Sequence, residues 1–183
     1  FATFALAITL TMFIPFLLPL NNSISYVENI LNSLSLYFQT FEFNGGIYYI
    51  FRWIGTKICG YNPIETVGKI LLIINIIAII IIFLFQKKSL KSLITSITIA
   101  LLFYVMLATT IHPWYILPLL PFSLLLKPKS ILVWSGLIFL SYFAYSTNDW
   151  HENFYFIILE YTFVFIFLFN DIKQANFIHE NYQ

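Results

Sequence analysis

Apolar residues fall along this chain in long runs, and polar residues gather between them. A membrane-crossing helix needs ~20 mostly apolar residues. Six runs approach that length: residues 1–20, 64–86, 93–111, 113–126, 130–147 and 153–169. The fourth holds Pro113, Pro118 and Pro121. It is short for a full span and is expected to be tilted little, broken or only partly inserted. Residues 21–63 are polar to amphipathic. There Val27, Ile30, Leu31, Leu34, Phe38 and Phe41 recur at helical spacing, with Glu28, Asn29, Asn32, Ser33 and Gln39 between them. That pattern predicts a helix lying in the plane of the membrane interface, ended by Gly45-Gly46. A second, aromatic helix is predicted over Ile47 to Ile58, stopped by Gly60. Asn62-Pro63-Ile64-Glu65 then reads as a helix start, with Asn62 as N-cap, Pro63 first and Glu65 third. The expected fold class is all-α, a polytopic membrane helical bundle forming one membrane domain, with interfacial helices in a long outer loop.

Composition makes the membrane assignment compelling. The chain is 60% hydrophobic and 9% charged, against about 25% charged in soluble domains. Too few charges remain to cover a water-facing surface. The net charge of +1 and the lack of a basic run give no reason to expect a nucleic-acid partner. Membrane lipids are the partners composition implies. A single cysteine, Cys59, excludes an internal disulfide and disfavours a cysteine metal site. Because Phe1 lies inside an apolar run, the chain is expected to be a fragment lacking its N-terminal part, and the first run a span, not a signal peptide.

Charge sorts the ends of the runs. With alternating spans, Lys87, Lys88, Lys91, Lys127, Lys129 and Lys173 share one side, which the positive-inside rule makes cytoplasmic. The outer side gathers Glu28, Glu42, Arg52, Glu65, His112, Tyr115, Asp149, His151 and Glu152. Most have an ordinary reading. Glu28 suits a solvated helix, Glu65 a helix start, Asp149 a cap and Glu152 a loop. Arg52 suits either snorkelling to lipid headgroups or bidentate clamping of a phosphate. His112-Pro113 marks a turn, since proline drives the preceding residue out of the α region. Its imidazole is either a turn residue or part of a site with Trp114 and Tyr115. Glu160 lies inside the last run, ~10 Å from its outer end. An intramembrane carboxyl is a functional candidate by default; the alternative is a structural residue bonded to Tyr161 or Tyr142. No Gly-rich phosphate loop, G-x-S-x-G or H-E-x-x-H is present. The histidine and carboxylate spacing fits no standard metal site, so no cofactor is assigned and a divalent metal requirement stays open.

Taken together, Glu42-Phe43-Asn44-Gly45-Gly46-Ile47-Tyr48-Tyr49, Arg52-Trp53-Ile54-Gly55, Gly60-Tyr61-Asn62, His112-Pro113-Trp114-Tyr115 and Glu160-Tyr161 resemble the C-terminal half of bacterial GT-C-type membrane glycosyltransferases of the mannosyltransferase kind. The resemblance implies inverting transfer of a sugar from a polyprenyl phosphate donor to a lipid or glycan acceptor at the outer face of the bacterial plasma membrane. It also implies an acidic base in an outer loop upstream of this chain. On that reading Arg52 or His112 holds the donor phosphate, Trp114 and Tyr115 stack on sugar, and Glu160 completes the substrate-binding set. A transporter or flippase of a lipid-linked or small polar substrate is the alternative, because broken, proline-rich helices and an intramembrane carboxyl also suit one.

Overall fold

A computed structural model of the chain describes residues 2–17, 28–30, 32–33, 41–146 and 151–181. The chain divides into two compact units, residues 1–41 and 42–183. The first contains helix α1, Ala2–Leu17. Thr9 and Thr11 return their hydroxyls to the Ala5 and Ala7 carbonyls at 2.9 and 2.8 Å, the usual way for a threonine to hide its donor in an apolar helix. Of the amphipathic helix expected over 27–41, Glu28, Asn29, Ile30, Asn32 and Ser33 are helical; the remainder, like Asp149, lies outside the described residues apart from Phe41.

Among its described residues the second unit consists of helices joined by short turns, with an isolated bridge between Phe43 and Thr110. Its helices are α2 (Gly46–Cys59), α3 (Ile64–Leu84), α4 (Leu90–Leu107), α5 (Leu120–Leu126), α6 (Lys129–Leu137) and α7 (Phe154–Asn181). Helices α3, α4 and the Phe154–Gln174 part of α7 are long and apolar enough to cross a membrane. Gly60 closes α2 in the left-handed conformation (φ 78°), its N–H reaching the Thr56 carbonyl at 2.9 Å, as the stop signal predicted. The start of α3 differs from expectation. Pro63 is the cap residue and Ile64 the first helical one. The Asn62 amide faces Glu42 instead of capping the helix, because Glu42 offers it a charged acceptor.

Two apolar runs are not plain α-helices. Between Pro113 and Leu126 the chain makes two 3-10 turns, Pro113–Tyr115 and Leu117–Leu119, before α5. Its three prolines withdraw three backbone donors, so the run is broken as its composition foretold. More surprising is the run after Pro128. It is α-helical to Leu137, then 3-10 from Ile138 to Tyr145. Ser135, Ser141 and Ser146 each donate to the carbonyl three residues back, at 2.7, 2.6 and 2.7 Å. A 3-10 helix rises ~2.0 Å per residue against 1.5 Å. The whole run therefore reaches roughly 30 Å, about the thickness of a bilayer's hydrocarbon core, with fewer residues than an α-helix would need.

These elements run back and forth between two ends. At one end, Phe43 N–H donates to the Thr109 carbonyl (3.1 Å) and Ile111 N–H to the Phe43 carbonyl (2.8 Å), just beyond α4. Tyr145 packs on Phe43 with ring centroids 5.9 Å apart. At the other end, the Asp171 carboxylate accepts the Lys129 and Ser130 N–H groups at 3.1 and 2.9 Å, so α7 caps the start of its antiparallel neighbour α6. The core between them includes Trp134, Ile111, Ile116, Leu119, Ile131 and Ile138, all essentially inaccessible.

Candidate functional site

The site is organised by three consecutive residues, Glu42, Phe43 and Asn44, which form a strap across the end opposite Asp171. Gly45 and Gly46 follow and let α2 start close against its neighbours. A Cβ on Gly45 would press on the Thr109 carbonyl, and one on Gly46 would fall inside the Tyr161 ring.

Each strap residue engages a different part of the bundle. Glu42 pairs with Arg52 Nη1 through Oε1 and accepts the Tyr48 hydroxyl at 2.6 Å through Oε2. Phe43 stacks on His112 with centroids 4.8 Å apart. His112 in turn stacks nearly parallel on Trp114 at 4.3 Å and meets Tyr115 edge-on at 5.7 Å. Asn44 has φ 52°, a left-handed conformation that asparagine tolerates better than most residues. Its amide Nδ2 donates to both oxygens of Glu160 at 3.1 and 3.2 Å, its backbone N–H donates to Glu152 Oε1, and its carbonyl accepts the Tyr161 hydroxyl at 2.8 Å.

The structure therefore brings all five sequence-predicted residues to one strap: Arg52 through Glu42, His112, Trp114 and Tyr115 through Phe43, and Glu160 through Asn44. It also separates their roles. Glu160 is 0% exposed and is held by Asn44 and by Trp134 Nε1 at 2.8 Å. Its partners are not Tyr161 or Tyr142, the pair the sequence offered. Tyr161 turns its hydroxyl to the strap carbonyl instead. Arg52 alone of the five lines the groove described below.

Sequence reading assigned no functional role to Asn44, Glu152 or Trp134. Signals for them existed. Asn before Gly-Gly favours a left-handed turn, and a tryptophan in an apolar run needs an acceptor for its N–H. Glu152 read as loop. In the structure it accepts from the Tyr49 hydroxyl as well as from the strap.

Between α2 and α7 lies an open groove of about 580 Å³, walled by Ile50, Trp53, Phe154, Ile157, Ile158 and Phe165, with Tyr49 and Arg52 on the same wall. The Arg52 guanidinium sits 4.6 Å from the Tyr49 ring centre and 5.7 Å from that of Phe154, within cation–π range. Among the described residues Nη1 is the one guanidinium nitrogen in a hydrogen bond, which leaves donors of the fork uncommitted.

Burial shapes the protonation states. It holds His112 below its ordinary value, so the imidazole is neutral at pH 7 and is an aromatic surface more than a cation. Burial raises Glu152, opposed by the hydrogen bonds from Tyr49 and the Asn44 N–H. Burial, and then the carboxylates beside them, push Tyr48 and Tyr49 above the usual phenol range, and both remain donors. No three His, Cys, Asp or Glu side chains converge as a metal site among the described residues.

No known protein family, curated protein or solved structure matches this chain.

Proposed function

We propose that the protein is a multi-pass glycosyltransferase of the bacterial plasma membrane that takes a sugar, mannose in the first instance, from a polyprenyl phosphate and gives it to an acceptor hydroxyl at the outer face. The observation that carries this reading is the groove between α2 and α7, apolar along its length and bearing one guanidinium with donors to spare. A polyprenyl tail needs apolar walls, and its phosphate needs a cation able to bind two oxygens at once. Arg52 is better suited to the phosphate than His112, which burial keeps neutral. The Trp114 face, half-exposed and backed by His112, suits stacking on sugar.

In the transfer, the acceptor oxygen bonds to the anomeric carbon while the bond from that carbon to the phosphate oxygen breaks, with inversion. The electron pair leaves with the phosphate, where Arg52 stabilises the charge. The acceptor proton goes to a general base. Glu42, Glu152 and Glu160 each already accept at least two hydrogen bonds, which suits holding the site together more than taking a proton.

Membranes carrying the protein should release sugar from radiolabelled polyprenyl phosphate mannose. Arg52→Ala should lower that release at least a hundredfold, and His112→Ala about tenfold, with membrane insertion unchanged. Unaltered release in Arg52→Ala would defeat the assignment.

A further inference from the structure

The cation on the groove wall is already occupied. Glu42 reaches it from the strap, and the pair is partly open to solvent, with side-chain exposures of 25% for Arg52 and 23% for Glu42. The carboxylate has a second holder, the Tyr48 hydroxyl, and a third nearby in the Asn62 amide at 3.5 Å. Glu42 can thus leave Arg52 and still keep hydrogen-bond donors. Arg52 stays positioned when Glu42 leaves, because the Tyr49 and Phe154 rings flank its guanidinium.

We infer that Glu42 is a resident competitor at the groove's anion site, which an apolar-tailed phosphate displaces from Arg52 on binding. The inference rests on the groove reading above and adds an exchange to it: one carboxylate leaves the guanidinium and one phosphate takes its place, so the guanidinium keeps an anionic partner throughout. The exchange has a built-in route outward. Residue 43, next in the chain, is clamped by its backbone to Thr109 and Ile111 and by its ring to His112. Freeing Glu42 loosens one of the strap's ties and so reports groove occupancy to the His112–Trp114–Tyr115 face. An empty enzyme keeps its groove cation neutralised, and a lipid lacking an anionic head has nothing with which to open the pair.

The test is binding of radiolabelled farnesyl phosphate, with farnesol as the uncharged control, to the full chain in phosphatidylcholine nanodiscs. Expected results are that the unsubstituted chain binds farnesyl phosphate in preference to farnesol, that Arg52→Ala weakens phosphate binding at least tenfold, and that Glu42→Gln strengthens it about tenfold. The gain should vanish when Glu42→Gln is combined with Arg52→Ala, as a direct coupling requires. Farnesyl phosphate binding that needs Arg52 but is no tighter in Glu42→Gln overturns the exchange and leaves the groove standing. Binding indifferent to Arg52 in both backgrounds overturns the groove reading and the exchange with it. A second measurement avoids substitution altogether. In the unsubstituted chain, farnesyl phosphate should speed hydrogen exchange at the Phe43 amide several-fold; an unchanged or slower amide overturns the exchange.

Discussion

Asn44 bonds to Glu160, Glu152 and Tyr161 from a left-handed backbone, and the pair it makes with Glu160 sets a sharp expectation. Glu160 accepts from Asn44 Nδ2 and from the Trp134 indole, with no cation paired to it among the described residues. Glu160→Ala removes the acceptor and strands two buried donors, at about 1–3 kcal/mol each. Glu160→Gln should cost less than about 1 kcal/mol. Its carbonyl still accepts from Trp134, and its amide can donate to Asn44 Oδ1, which has no hydrogen-bond partner in the parent. Thermal unfolding in detergent distinguishes the two. Equal losses would mean that the carboxyl's charge matters and not its acceptor geometry. Glu152 yields a pH dependence. Its folded-state value is raised, first by burial, so the folded chain holds this proton to a higher pH than the unfolded chain does. The stability this contributes is fully present below the unfolded value of about 4.3. It is lost as pH rises through the folded one. Melting temperature followed from pH 4 upward should therefore fall in the parent relative to Glu152→Gln. A gap between the two proteins that stays constant with pH would contradict the burial assigned to this group.

Helix contacts at the groove turn on one missing methyl. Gly46 opens α2 against the Tyr161 ring, which is itself pinned by its hydroxyl to the Asn44 carbonyl. Gly46→Ala must therefore move α2 off α7, at a cost of about 1–3 kcal/mol for overpacking, and should distort the groove. Gly136 in α6 is the control, because a Cβ there meets nothing within 4 Å. Gly136→Ala should be neutral or stabilising by up to about 1 kcal/mol. Similar losses at both positions would show that the close approach at Gly46 carries no special weight. The contrast marks what the sequence made legible. The apolar runs, the Gly60 stop, the break at the three prolines and the chemical interest of Arg52, His112 and Glu160 all follow from local pattern. The strap does not. Its partners lie 10, 66 and 116 positions away along the chain at Arg52, Thr109 and Glu160, and no periodicity encodes such pairs. The 3-10 segment Ile138–Tyr145 was equally hidden, since its apolar content fits either helix.

At the scale of the molecule, charge and topology agree. The strap end collects Glu42, Arg52, His112 and Glu152. From Phe154 to Asp171 helix α7 climbs about 26 Å, close to a bilayer's hydrocarbon thickness, to an end where Asp171 meets the start of α6 and where Lys127, Lys129 and Lys173 fall by their position in the chain. Helix α3 starts beside the strap, where Asn62 faces Glu42, and α4 returns to it at Thr109. Residues 85–89 between them therefore lie one helix length away, at the lysine end, with Lys87, Lys88 and Lys91. For such an asymmetry the positive-inside rule predicts the lysines on the cytoplasmic side and the strap on the outer one. The native Cys59 is exposed at the end of α2, on the strap side. In intact cells it should react with a membrane-impermeant maleimide. In a Cys59→Ala background, a cysteine introduced by Ser89→Cys, at the start of α4, should react only after the cells are opened. Reaction at position 89 in intact cells, with Cys59 protected, would invert the orientation and put the groove's Arg52 end at the cytoplasmic face. Reaction of both would mean that α3 does not cross the membrane.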